Sequence, residues 1–416
     1  MTRSFWGRLA GFAGLPAISL ITPLLVLPVL GRAAGADGWA SLLVGESVGT
    51  LAAIVVNYGW NNAGPPRVAE ADTATRLRLY RESLLVRGAL AVGALPVMVV
   101  VCASLSADGF LVPTVLMGLA GAVPGLSFAW YAVGVGDPRP IAVYEAVPRV
   151  VAAAVSSALI LWTGQMVFYP LLAVSVSLGG IWLFGRTLGR STAPGPGVRD
   201  IGRLLVRDRA VAVADMATGA FGTVPVPVAS RVASPSAASS YASADKLYKY
   251  GQYVPITLAN ALQSWTVEVA PPGRPRRLRL ALVGHGLLGV VGAALLAVLG
   301  PTVSGLLFGQ DVRAARDVCL WLALAFAVVS VRMSLVRHFL LPAGRARAVL
   351  IGTALGAALG VVGMLTIGRA AGAAGVAASL AVAELVTAVL LVQPALRHLT
   401  VVEEEAASWT TSSGQG

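Results

Sequence analysis

A handful of ionisable residues lie inside apolar stretches, where they are costly: Glu46, Glu145, Arg149, Asp215, Arg332 and Glu384, with Asp245 and Glu268 at the margins of another stretch. A charged group placed mid-membrane costs a few kcal/mol on insertion scales, so such residues face a cavity or a partner. Glu145 and Arg149 are four apart in the favourable order for one helical face. Either they form an intrahelical ion pair that eases insertion, or Arg149 lines a cavity and meets an anion while Glu145 orients it. Arg332 has no local partner in the sequence and lies near a stretch end, where snorkelling to the interface is the plain alternative. Glu46, Asp215 and Glu384 have no basic residue three or four positions away. Unpaired carboxylates of this kind hold a proton or Na⁺; the alternative is that each meets an arginine from another helix. Arg32 and Arg231 sit near the outer ends of their stretches, as interface anchors or as a matched pair for an anion.

The elements that must position these residues are membrane helices. The 416 residues are 56% hydrophobic and only 12% charged, with a mean hydropathy of +0.78. A soluble protein of this composition would expose large apolar patches. About twelve stretches reach the ~20 apolar residues that a spanning helix needs: 9–31, 39–60, 86–106, 111–134, 140–162, 166–186, 209–231, 246–269, 279–300, 314–338, 347–368 and 372–395. They are continuous rather than alternating, which excludes a spanning β-barrel.

The net charge is +12. With the N-terminus inside, about 22 Lys and Arg fall in cytoplasmic segments against about 7 outside, which fits both termini in the cytoplasm. The basicity therefore reflects topology and anionic inner-leaflet lipid, and no nucleic-acid partner is expected. The first apolar run is too long for a signal peptide and is read as the first helix. Cys102 and Cys319 both fall in apolar stretches and set up neither a disulfide framework nor a metal site. The sequence has no G-x-x-x-x-G-K-[ST] phosphate loop, no H-E-x-x-H and no clustering of His285, His338 and His398. No ATPase, no metal hydrolase and no cofactor are expected.

The longest polar interruption carries Pro194–Gly197 and several arginines and divides the chain into two halves of six stretches. The expected organisation is a first lobe over 1–190, a cytoplasmic linker over 191–208, a second lobe over 209–396 and a disordered cytoplasmic tail over 397–416. Shifted by 199 positions, Pro28 meets Pro227, Arg32 meets Arg231, Ser41 meets Ser240, Glu46 meets Asp245 and Asn61 meets Asn260. An even number of helices per half implies parallel repeats, a transporter plan. Prolines at 23, 28, 225, 227 and 255 suit hinged alternating access or static packing of bent helices.

Residues 23–70 carry Pro28, Arg32, Gly35, Gly38 and Trp39, followed by Asn57, Tyr58, Gly59, Trp60, Asn61 and Arg67. Further on come Trp130, Tyr131, Gly134 and Arg149, then Tyr241, Ala244 and Lys246. This series resembles bacterial polysaccharide flippases of the Wzx type, within the multidrug/oligosaccharidyl-lipid/polysaccharide exporter superfamily. It departs from the pattern at Asn57, where an acid is usual, and at Pro65–Pro66. The resemblance implies an all-α integral membrane protein of about twelve transmembrane helices, in two six-helix lobes around a central cavity in a bacterial plasma membrane. It implies a non-enzymatic flippase that carries an isoprenoid-pyrophosphate-linked oligosaccharide from the inner to the outer leaflet, alongside a polysaccharide polymerase and other assembly proteins. Arg149 is then the first candidate for the pyrophosphate, with Arg32, Arg231, Asn61 and Arg332 next. Glu46, Asp215 and Glu384 are the candidates for a coupling H⁺ or Na⁺. The competing expectations are a drug or organic-cation antiporter of the same superfamily, a membrane glycosyl- or phospho-transferase, and a non-transporting scaffold. Scattered acids at Asp108, Asp311 and Asp317 give the transferase little support.

Overall fold

A computed structural model describes residues 5–188, 197–267 and 271–413. Glu268 and the first part of the expected linker, 191–196, lie outside the described residues. The elements run α1 (Phe5–Asn57), α2 (Trp60–Glu70), α3 (Thr73–Leu105), α4 (Leu111–Ala122), α5 (Ala129–Val135) and α6 (Arg139–Ile141). They continue with α7 (Val147–Thr163), α8 (Phe168–Thr187), α9 (Ile201–Ala220), α10 (Pro225–Val232), α11 (Pro235–Gly251) and α12 (Tyr253–Val267). The last three are α13 (Arg274–Phe308), α14 (Arg316–Ser334) and α15 (Ala346–Ser413). No strand occurs among the described residues. Eight helical segments are long and apolar enough to cross a bilayer.

The difference from twelve has a physical origin. Two of the eight are double. α1 breaks at Gly35, which has φ 63°, and α15 at Gly372, which has φ 59°. An L side chain is strained there and glycine is not. Within α15, Gly375 sits against the Ile367 carbonyl, where an added Cβ would lie 2.5 Å away. In a straight helix those residues would be about 12 Å apart. Gly368 faces Val376, Gly363 faces Ser379, Gly356 faces Thr387 and Gly352 faces Leu391. As one residue number rises the other falls, so the two parts of α15 form an antiparallel hairpin with one glycine face. The remaining two expected spans, α9–α10 and α11–α12, are interrupted at Phe221–Thr223 and near Gln252.

The chain divides into two compact units. The first comprises Met1–Arg231 with Leu307–Val312, and the second Val232–Leu306 with Arg313–Gly416. In unit 1, the second part of α1 packs on α4. Gly45 meets the Thr114 carbonyl, Gly49 meets Gly118, Gly121 meets the Glu46 carbonyl and Gly125 meets that of Ala53. Both numbers rise together, so these helices run parallel, and small residues every four positions let the backbones touch. α9 and most of α10, expected with the second lobe, pack within unit 1. Tyr58 Oη donates to the Leu205 carbonyl at 3.0 Å, and Arg67 pairs with Asp208 at 2.8 Å.

In unit 2, α14 packs against α15. Expected to be disordered, the tail is instead helical to Ser413. Its Val402 is buried against Leu278 and Phe339, and Glu403 pairs with Arg279 at 2.5 Å.

The outward stripes of both units are apolar. Only 11% of the most apolar window of α13 is buried inside the protein, and Trp162 and Leu161 are among the most exposed side chains. A surface of this kind needs hydrocarbon around it.

One internal correspondence supports the repeat. Ser41 Oγ accepts the Ala107 amide at 3.0 Å, just before α4, and its partner position Ser240 accepts the Ala315 amide at 2.7 Å, just before α14. Each serine pins the entry of the same kind of helix in its own unit.

Candidate functional site

Each unit holds its own polar centre. In unit 1 the centre is built on Arg87, which the sequence did not single out and which lies within α3 with no exposed surface. Its Nη1 donates to the carbonyls of Ser127 at 2.7 Å and Gly125 at 3.2 Å, and its guanidinium lies 5.8 Å from the Trp130 ring centroid. These carbonyls are free because α4 ends in a 3₁₀ turn at Val123–Leu126, which leaves carbonyl groups outside the helical ladder. Ser127 links the two charges. Its carbonyl takes Arg87, and its hydroxyl donates to Glu145 Oε1 at 2.5 Å. An aromatic wall of Trp60, Tyr80, Phe128, Trp130, Tyr131 and Phe184 closes around them, with Phe128 and Phe184 stacked at 3.9 Å.

Glu145 and Arg149 therefore do not pair. A π turn at Ala142–Ala146 inserts a residue between the two faces and turns Glu145 inward to Ser127. Arg149 is half-buried, and its Nε donates to Ser177 Oγ at 3.3 Å. No described carboxylate pairs with it.

A second group of charges joins α2 and α3 to α9. Asp208 receives Arg67 at 2.8 Å and Arg207 at 3.0 Å, while Glu82 receives Arg207 at 2.9 Å and Arg78 at 3.3 Å. Burial opposes ionisation of Asp208, but hydrogen bonds from Arg207 and Arg67 outweigh it and hold the carboxyl below its usual range. Arg207 is likewise raised by its hydrogen bond to Asp208. Deeper in α9, Asp215 Oδ1 accepts Asn62 Nδ2 at 2.7 Å.

The other unit 1 candidates are separate from this centre. Arg32 is exposed with its side-chain stem beside Gly309, and Arg231 is exposed in the last turn of α10. Asn61 is exposed, and its amide donates to Asn57 Oδ1 at 3.2 Å. Glu46 is half-buried on α1, on the face that meets Gly121.

In unit 2, Arg332 has the partner that the sequence did not show. Its Nε lies 2.8 Å from Oε2 of the buried Glu384, across the α14–α15 contact. Buried Tyr248 lies within electrostatic reach of both. On the same α11, Asp245 pairs with Lys249 at 2.7 Å, and Lys246 lies 5.8 Å from the Tyr250 ring centroid. Of the candidate ion-holding acids, Glu384 is thus consumed by an arginine. The structure also brings together two histidines that the sequence left scattered: the His285 and His338 rings lie 5.6 Å apart. No group of three or more His, Cys, Asp or Glu that could hold a metal occurs among the described residues.

No family model and no curated protein sequence matches the chain. Solved structures do. An inward-facing multidrug-resistance MATE family transporter of the MOP superfamily is 15% identical with a TM-score of 0.65, covering 94% of this chain and 96% of its own. The lipid II flippase MurJ in an inward closed conformation is 9% identical with a TM-score of 0.68, covering 97% and 91%. The eukaryotic MATE transporter AtDTX14 is 12% identical with a TM-score of 0.51, covering 96% and 98%. At such identities the likeness concerns architecture. This chain is a multi-pass, all-α membrane protein with the fold shared by MATE transporters and the MurJ flippase.

Proposed function

We propose that this protein is a transporter that moves an anionic, lipid-linked substrate across the bilayer. The substrate class that fits best is an isoprenoid-pyrophosphate-linked oligosaccharide, carried from the inner to the outer leaflet in the manner of Wzx-type flippases. One observation carries the reading: Arg149 meets a neutral serine and no described carboxylate, whereas two of the acids within or beside the spans, Glu384 and Asp245, meet bases. Glu384 meets Arg332, Asp245 meets Lys249, and Glu145 is tied through Ser127 to Arg87. Arg149 gives one hydrogen bond to a neutral serine. A guanidinium so placed has donors left for phosphate oxygens, which it binds bidentately.

A transporter of organic cations, as in MATE proteins, would need the opposite surplus. Asp215 is the observation that favours it: its carboxylate accepts the Asn62 side-chain amide at 2.7 Å. The fold is common to both activities and does not separate them.

The test uses proteoliposomes loaded on one side with a pyrophosphate-linked glycan, read by an externally added glycan-modifying enzyme. Wild type exposes the glycan and Arg149→Ala slows exposure at least tenfold while inserting normally. Full-rate flipping by Arg149→Ala would remove Arg149 from the mechanism.

A further inference from the structure

His285 lies in α13, and His338 lies in a π turn, Leu335–Leu340, that follows α14. Their rings are 5.6 Å apart and tilted by 52°. They are 0% and 1% exposed, which places both inside unit 2 and away from lipid and water. A neutral imidazole has one donor and one acceptor nitrogen. No ring nitrogen completes a well-formed hydrogen bond among the described residues, although the Ser330 backbone lies within reach of the His285 ring. The one hydrogen bond here uses the His285 carbonyl, which accepts from Ser330 Oγ at 2.7 Å.

Two rings that served only to fill apolar space would leave polar ring atoms poorly matched, above all those of His338, a role that Leu or Phe performs without that cost. The neighbours are apolar: Leu335, Phe339, Leu340, Leu278 and Leu282 form one cluster. No carboxylate is set against either ring to balance an imidazolium. The charged or titratable groups on the packed elements include Arg274, Arg276, Arg277 and Arg279 on α13, Arg332 paired with Glu384 across α14 and α15, Arg337 in the π turn, Tyr253 on α12, and Arg347, Arg397, His398 and Glu403–Glu405 on α15, of which Glu403 is held by Arg279. Of these, Arg337 is the one whose charge acts on His338, and it has the same sign as an imidazolium. An imidazolium in this closed setting would be an unbalanced charge in apolar protein. It becomes tolerable only when water reaches the rings.

The position of His338 supplies the means. π turns recur at functional sites because their inserted residue weakens the helical ladder. This one is followed at once by a break, with Gly344 at φ 69°. We propose that His285 and His338 form a proton-binding pair. One proton from water is accepted by a ring nitrogen when the π turn opens, is shared with the facing ring through an N–H···N bond, and returns to water as the turn closes. With the ring centroids 5.6 Å apart, a small shift brings facing nitrogens within hydrogen-bond reach. A proton then selects the open form of this segment. Any coupling to substrate rests on the transporter reading above, but the proton site itself does not.

The experiment is hydrogen–deuterium exchange on the full chain in lipid nanodiscs at several pH values, corrected for intrinsic exchange. The segment 335–345 is referenced to the packed hairpin 352–391. In the wild type the relative exchange of 335–345 rises about fivefold or more as pH falls from 8 to 5.5. In His285→Gln/His338→Gln the ratio is flat. A flat ratio in the wild type, or an equal rise in the double variant, overturns the site, and the wild-type measurement decides even where a variant fails to fold. In parallel, proteoliposomes are assayed with a short-chain isoprenyl-pyrophosphate disaccharide, with and without a pH gradient. Loss of the gradient response in the double variant, with equilibrium exchange of the probe retained, supports coupling. A gradient response that survives in the double variant overturns it. If the wild type moves no such probe at all, the substrate reading fails, and the exchange measurement still decides the proton site.

Discussion

At the scale of the residue, the described charges divide into those that meet an opposite charge, such as Arg332, and those that meet a neutral group, such as Arg149. Arg332 and Glu384 meet at 2.8 Å with 22% and 11% of their side chains exposed. Truncating either leaves the other charge stranded, at a cost of about 3–5 kcal/mol, whereas replacing both with apolar residues of similar size is close to neutral. Thermal unfolding in nanodiscs should therefore show Arg332→Leu and Glu384→Leu each well below wild type and the double variant recovering most of the loss. Equal losses for single and double variants would mean that the pair does not behave as a unit. Ser127 makes a different case, because one residue serves two charges. Ser127→Ala keeps the carbonyl that holds Arg87 but strips Glu145 of its hydroxyl donor. The expected loss is about 1–3 kcal/mol, read as a lower unfolding temperature with the fold retained.

Much of this was only half legible in the sequence. The residue types were visible as costly charges in apolar runs, but their partners were not. Glu145 and Arg149 looked like a pair because spacing assumes an unbroken α-helix, and a π turn changes the face by one residue. Arg332 and Glu384 looked solitary because their contact crosses between helices. Arg87 was not singled out, although it falls inside the expected 86–106 stretch; the signal that could have found it is the apolar Leu84–Val86 before it and Ala89–Val92 after it, which mark a cation within the helix rather than beside it.

At the scale of the element, glycine decides how closely helices approach. Gly49 lies against the backbone of Gly118, so an added methyl has nowhere to go, whereas at Gly356 the nearest obstacle is the Thr387 hydroxyl. Gly49→Ala should lower the unfolding temperature, and no single side-chain substitution in α4 should rescue it. The damage from Gly356→Ala should be partly relieved by Thr387→Ala. The charge group around Asp208 makes a separate prediction about pH. Its carboxyl is held below the ordinary value of 3.8 in the folded chain. Its contribution to stability is therefore fully present above that value and is lost as pH falls through the lowered folded one. Between pH 5 and 8 the link from α9 to α2 and α3 should not change, as limited proteolysis near 197–208 would show. Cleavage that rises within this range would contradict it. The helices themselves were legible from apolar runs of membrane length. The helical tail was not, because the contacts of Val402 and Glu403 that hold it are distant in sequence.

At the scale of the whole molecule, the repeat and the fold agree. The offset that aligned Ser41 with Ser240 also aligns their hydrogen bonds to the start of α4 and of α14. Composition alone required a bilayer, and the long apolar faces of α13 and α7 are consistent with one. What composition could not supply is the sign of the cargo, because that depends on which charges remain after the helices have paired. The account rests on Arg149 as a remaining positive charge and so on an anionic substrate. The most direct test is a side-by-side transport measurement in proteoliposomes of the purified protein, with a pyrophosphate-linked glycan in one set and an organic cation in the other. The account predicts translocation of the glycan, slowed at least tenfold by Arg149→Ala, and no movement of the cation above protein-free liposomes. Cation transport that survives Arg149→Ala and is abolished by Asp215→Asn, with the glycan left in its original leaflet, would contradict it.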